Sequence, residues 1–239
     1  MKISGNGSIP GGSYNEEITI SGNGKITGNV SCTDLKISGS GNALGDLTCS
    51  GHFSISGSGH VKGALTAQSA SINGSGHIDG SVNVKEKLSA NGSTHAGRIQ
   101  CGVLTAAGDL NAQGDISAES AVINGAVKCS GLLNAGSLNV KMSGKCFADS
   151  IGGSEISIHD RKDAVKLISR LFKLSGNVFT VKNSIEGDEI DLENVEADTV
   201  TGRNVTIGPN CKIRRVIYSE NLTVSDKATV ESSEQSSNI

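Results

Sequence analysis

Apolar residues in the first half of the chain come as singles or i,i+2 pairs, set apart by polar residues and glycines. From Ile20 to Lys36 they are Ile20, Ile26, Val30, Cys32 and Leu35. The next period supplies Ile37, Ala43, Leu47, Cys49 and Phe53, and the one after it Ile55, Val61, Leu65, Ala67 and Ala70. Two columns follow: Val30, Leu47, Leu65, Val82, Ile99, and Cys32, Cys49, Ala67, Val84, Cys101. Alternation over such short runs predicts strands with every second side chain inward. The i, i+3, i+4, i+7 spacing of a helix is missing here.

The organising stretch is Ile20 to Gly28, ISGNGKITG, with copies opening at Ile3, Ile37, Ile55 and Ile72 and a looser one at Leu88. The steps between openings are 17, 17, 18, 17 and 16 residues, the mark of a solenoid. The glycine corners are expected to need positive φ. One coil is then three short strands and three corners, and coils stack as parallel strands roughly 4.8 Å apart. The expected fold is all-β, a triangular single-stranded parallel β-helix with coils of about 17 residues. Aromatics at 3% and the lack of Trp suit so narrow a core. Ser4, Ser21, Ser38, Ser56, Asn73 and Ser89 are expected to form an outward ladder.

Four segments follow. Residues 1–158 form the N-terminal coils, whose period loosens beyond Leu88 to Leu104, Ile123 and Val140. Residues 159–176 form an amphipathic helical insertion: Ala164, Leu167, Ile168, Leu171 and Leu174 at helical spacing, with Phe172 beside them and Lys166, Arg170 and Lys173 opposite. Leu167, Ile168, Leu171, Phe172, Lys166, Arg170 and Lys173 are its candidate functional face, read first as packing on the solenoid flank and second as lying on an anionic membrane. Residues 177–231 resume the coils, and the polar residues 232–239 are expected to be a disordered tail.

The chain has 239 residues, long enough for two compact domains, but the repeat argues for one elongated solenoid, and the formal net charge of −3 points to no nucleic-acid partner. No apolar run reaches membrane-spanning length, and Met1-Lys2 leads directly into the first repeat with no export leader. The six cysteines read as small core residues kept reduced in the cytoplasm, Cys32 with Cys49 in one column and Cys129 with Cys146 in another. Membrane-peripheral placement is the second reading, tied to the basic helix. Between Asn183 and Gly202 stand seven acidic residues and no basic one, followed by Lys212, Arg214 and Arg215. These faces read as solvated, with lateral docking of chains as the alternative.

Candidate chemistry is sparse. Calcium-binding nonapeptides need a repeated Asp, but the residue after Gly-x-Gly is Ser8, Lys25, Asn42, His60 and His77. Ile207 to Lys212 resembles one acyltransferase hexapeptide, without the six-residue register such enzymes need. His60 and His77 share an outward column with His95 near it, and no acidic residue is placed with them at ligand spacing. No catalytic, cofactor-binding or metal residue is assigned, and no cofactor is expected.

A β-helix has two raw ends, each exposing unpaired strands and an apolar cross-section. With Ile3 opening the first coil, that end is expected to be uncapped. The expected polymerisation interface is Ile3, Ile9 and Ile18 at one end, and Leu222, Val224 and Val230 at the other.

The ISGSG-x-[IV]-x-G coils, Ser184 to Val200 (SIEGDEIDLENVEADTV) and Gly202 to Ile213 (GRNVTIGPNCKI) resemble the bactofilins, more narrowly the polymer-forming cytoskeletal proteins of Gram-positive bacteria. The resemblance implies a right-handed β-helix and a non-enzymatic scaffold that polymerises end to end without nucleotide. Implied partners are further copies of the chain, a co-assembling paralogue, and cell-envelope or motility proteins. The chain departs from the usual pattern in lacking a membrane-reaching N-terminal tail and in carrying the helix between its coils. The alternative is a monomeric or small-oligomer β-helix that binds a ligand or acts as an enzyme, in the manner of a hexapeptide acyltransferase.

Overall fold

The structure is a computed structural model that describes residues 1–161 and 177–237. Among these residues there are strands, turns and bends and no helix, arranged as a parallel β-solenoid of about 13 turns with coils of about 17 residues. The chain divides into two compact units, Met1–Ser120 and Ala121–Ile239.

Unit 1 begins with β1 (Lys2–Ile3), β2 (Asn6–Ile9), β3 (Gly12–Ser13), β4 (Ile18–Ile20), β5 (Asn23–Ile26), β6 (Val30–Cys32), β7 (Leu35–Ile37) and β8 (Ser40–Ala43). It continues through β9 (Leu47–Ile55), β10 (Ser58–Val61), β11 (Leu65–Ile72), β12 (Ser75–Ala90) and β13 (Ser93–Ala112). Each strand pairs in parallel with the equivalent strand one coil away. Val30, Leu47, Leu65, Val82 and Ile99 stack in register, as do Cys32, Cys49, Ala67, Val84 and Cys101. All ten are buried. A third column runs Ile9, Ile26, Ala43, Val61, Ile78, Ala96.

Two sequence expectations need correction here. The fifth step of the repeat leads to Ala90, not Leu88: Ile72 pairs with Ala90, while Leu88 lies over Ala70. A two-residue slip keeps strand parity, so both candidates point inward and both are buried. Ser89 accordingly pairs with Ser71, and Asn91 extends the ladder, donating from Nδ2 to Asn73 Oδ1 at 3.0 Å. The corner glycines are also required for a different reason. Among the described residues only Gly12 and Gly108 are glycines with positive φ. At Gly57 an added Cβ would instead sit 2.2 Å from the Gly39 carbonyl oxygen. At Gly22, Gly39, Gly57 and Gly74 the corners stack backbone on backbone and leave no room for a Cβ.

Unit 2 takes in most of β14 (Ile116–Met142), then β15 (Cys146–Gly152), β16 (Glu155–Asp160), β17 (Phe179–Leu192), β18 (Val195–Ile207), β19 (Lys212–Val224) and β20 (Thr229–Gln235). Its columns include Cys146, Phe179, Val195 and Cys129, Ala148, Val181, Ala197, Ile213, Val230. Cys129 and Cys146 therefore occupy neighbouring columns rather than one, because the coil between them spans 19 residues, Cys129 to Ala148. Asn194 and Asn210 hold left-handed corners at φ 57° and 60°, and Asn210 Nδ2 donates to Asn194 Oδ1 at 2.9 Å. Asn tolerates this region better than other side chains that carry a Cβ.

Two boundaries differ from the sequence reading. His159 and Asp160, assigned to the insertion, close β16, where they pair with Lys141 and Met142. Residues 232–235, assigned to the tail, complete β20. Their polarity is no obstacle, since main-chain bonds to β19 hold them and no further described coil covers them. The remainder of the insertion, with Lys166, Leu167, Ile168, Arg170, Leu171, Phe172 and Lys173, lies outside the described residues.

Candidate functional site

Lys212, Arg214 and Arg215 of unit 2 each pair with a carboxylate of the same chain. Lys212 Nζ lies 2.7 Å from Glu196 Oε1, Arg203 Nη2 lies 3.1 Å from Glu189 Oε1, and Arg215 pairs with Glu234. Asp198 accepts two hydrogen bonds from Arg214, which hold its carboxyl at about 2. These exposed pairs join adjacent coils and engage Glu189, Glu196 and Asp198 of the acidic face.

One concave surface in unit 1, of about 580 Å³, is lined by Thr66, Asn83, Lys85, Gln100, Ser117 and Glu119. Cys101 also borders it, but burial pushes that thiol up to about 11, so it offers no ready nucleophile at neutral pH. Cys211, in the hexapeptide-like stretch, is 1% exposed and likewise pushed up by burial to about 11.

The six expected interface residues divide. Leu222, Val224 and Val230 are the last described members of their columns, stacked on Val205, Ile207 and Ile213. The three residues beneath are buried, whereas Val224 is 43% exposed and Leu222 and Val230 are half-buried. Ile3, which pairs with Ile20, is also half-buried. Ile9 and Ile18 are 1% and 0% exposed. Ile18 belongs to β4, which has β1 on one side and β7 on the other. Both isoleucines are core residues and offer no surface for assembly.

The histidine column is real and has an acidic neighbour that sequence reading missed. His60, His77 and His95 pair in register. The His60 and His77 rings meet edge-on at 4.9 Å, and the His77 and His95 rings stack at 5.5 Å. Asp79 Oδ1 lies 3.1 Å from His60 Nε2 and 2.9 Å from His77 Nε2. Asp79 follows His77 by two residues across buried Ile78, so strand alternation turns both outward. The signal was present as His-x-Asp, but attention to vertical columns passes over a lateral neighbour. The His60 hydrogen bond is the main cause that lowers the Asp79 carboxyl from its ordinary range, with His77 adding to it.

Among the described residues no helix is long and apolar enough to cross a membrane. No solved structure matches the chain. The protein YhbE of Bacillus subtilis (strain 168), itself uncharacterised, is 37% identical over 95 residues, 39% of this chain and 38% of YhbE. The chain thus spans well under half the length of that relative. The family model for bactofilins, described as polymer-forming cytoskeletal, matches residues 1–83. Those residues include the in-register coils of β1 to β11 and the His60–His77–Asp79 cluster. Residues 1–83 therefore carry the signature of the bactofilins, the polymer-forming cytoskeletal family that the coil motif resembles.

Proposed function

We propose that this protein is a non-enzymatic cytoskeletal scaffold that polymerises end to end through β-helix faces, without nucleotide. The observation that carries the reading is the last described coil of unit 2. Leu222, Val224 and Val230 continue three buried apolar columns yet stay partly exposed. A second copy of the chain is the occupant that fits, because a coil stacked on this one would continue the same columns and parallel hydrogen bonds. The polymer-forming description of the family matching residues 1–83 supports self-assembly. Ile3, half-buried in the first coil of unit 1, is the apolar residue proposed for the other partner of the contact. Recruitment of cell-envelope or motility machinery, and co-assembly with a paralogue, rest on the bactofilin resemblance. A cytoplasmic location belongs to the same proposal.

Negative-stain electron microscopy of purified protein, without nucleotide and across a range of salt, tests this. Filaments about 2–4 nm wide are expected, the width of a single coil stack. Val224→Lys and Ile3→Arg should each shorten or abolish them, by placing a charge in an interface that must be dry. Monodisperse particles at all salt concentrations, or filaments indifferent to both substitutions, would overturn the reading.

A further inference from the structure

We propose that His60, His77 and Asp79 form a surface binding site for a divalent transition-metal ion of the Zn²⁺ type. The inference is independent of the assembly reading. Three donors of the right kind converge: two imidazole Nε2 atoms and a carboxylate oxygen, all within 4.8 Å of one another. Both imidazoles aim Nε2 at the same oxygen, at 3.1 and 2.9 Å. In a tetrahedral Zn²⁺ site with bonds of about 2.0–2.1 Å, donor atoms stand roughly 3.3–3.4 Å apart. The two edges that meet at Asp79 therefore need to open by only a few tenths of an ångström. The side chains are 41%, 49% and 43% exposed, so nothing packed must move to admit an ion.

The scaffold supplies the preorganisation. His60 and His77 are fixed one above the other by the parallel register of β10 and β12, which pairs Ser58 to Val61 with Ser75 to Ile78. Buried Val61 and Ile78 anchor the two strands from behind. The donor set selects the ion: nitrogen donors suit Zn²⁺, Cu²⁺, Ni²⁺ and Co²⁺, whereas Ca²⁺ and Mg²⁺ require oxygen cages. Without an ion the carboxylate accepts hydrogen bonds from both rings. On binding, each neutral ring carries its proton on Nδ1 instead, the ion takes the two Nε2 atoms and the carboxylate oxygen, and the remaining coordination positions face solvent. Lys62 follows Val61, which pairs with Ile78, and so stands one coil from Asp79. Arg98, in the following coil, is held by Asp115 at 3.1 Å.

Isothermal titration of ZnCl₂ into the full chain, carrying no polyhistidine tag and held above the imidazole pKa of about 6.5, tests the proposal. Saturable uptake of one ion per chain is expected. His77→Ala and Asp79→Asn should each weaken it by about tenfold or more, with circular dichroism unchanged. His52→Ala should have no effect, because His52 sits elsewhere with Ser69 and Ser71. Asp79→Asn keeps the side-chain shape and so separates loss of a ligand from loss of fold. Absence of saturable uptake, or uptake undiminished in both His77→Ala and Asp79→Asn, would overturn the proposal.

Discussion

Arg214 grips Asp198 across one coil, with Nη2 donating to Oδ2 at 2.7 Å and Nε donating to Oδ1. Thr199 Oγ1 adds a third bond, to Oδ2 at 3.0 Å. Together they lower the Asp198 carboxyl from 3.8 to about 2. A depressed folded-state pKa stabilises the fold above the unfolded value, and that contribution is lost as pH falls through the folded one. The window is therefore about 3.8 down to about 2. A carboxyl-detected NMR titration should place the Asp198 midpoint near 2, and Arg214→Met should move it up toward the ordinary range. An unmoved midpoint would show that the pair is not formed in solution.

The corner contacts distinguish two glycines that look alike in the sequence. At Gly57 a Cβ would sit 2.2 Å from the Gly39 carbonyl oxygen, whereas at Gly5 it meets nothing within 4 Å. Gly57→Ala should therefore destabilise the protein by about 1–3 kcal/mol or more, by forcing coils apart. Gly5→Ala should be nearly silent. Chemical denaturation of the two variants, followed by circular dichroism, gives the comparison directly.

Phe53 is 0% exposed and stacks between Leu35 in one neighbouring coil and Ala70 in the other. Its truncation leaves a void that small neighbours cannot fill. Phe53→Ala should cost about 3–5 kcal/mol, read from the denaturation midpoint, with Phe53→Leu well below that.

Cysteine chemistry should be silent in the folded protein. Cys101 and Cys211 are each pushed up to about 11 by burial, so almost no thiolate forms at neutral pH. Cys32 and Cys49 place their sulfurs 3.7 Å apart inside the core; the hydrogen bond between them raises the Cys49 thiol strongly and lowers that of Cys32, which burial at 6% exposure still shields from reagent. A colorimetric thiol reagent at neutral pH should find almost none of the six cysteines until denaturant is added. Rapid labelling of folded protein would contradict this.

The columns were legible because each inward position repeats an apolar residue at nearly constant spacing. Val30 predicts Leu47, and Leu47 predicts Leu65. What escaped was whatever that spacing leaves degenerate. Leu88 and Ala90 share strand parity, so only the observed pairing tells which one follows Ile72. Ile9 and Ile18 look the same in sequence as exposed terminal residues, because hydrophobicity does not record which side of a coil is already covered. Asp79 escaped for a third reason. Its contacts combine a step along the strand to His77 with a further step between coils to His60, and a search along the columns alone finds neither. The corner glycines were located correctly but explained wrongly, since a crowded carbonyl in the adjacent coil leaves no trace in the local sequence.

The in-register pairing Ile3–Ile20–Ile37–Ile55 makes a whole period the natural quantum of insertion and deletion. Excising residues 20–36 would join Thr19 to Ile37 and bring Ile37 over Ile3, with inside and outside preserved at every later position. Excising a partial stretch would shift the register of the coils beyond it unless a bulge absorbed the difference, as happens between Ala67 and Ser69. A gene encoding such a chain can therefore grow or shrink by unequal recombination between its own repeats, and the number of turns becomes a heritable variable separate from the sequence of any one turn.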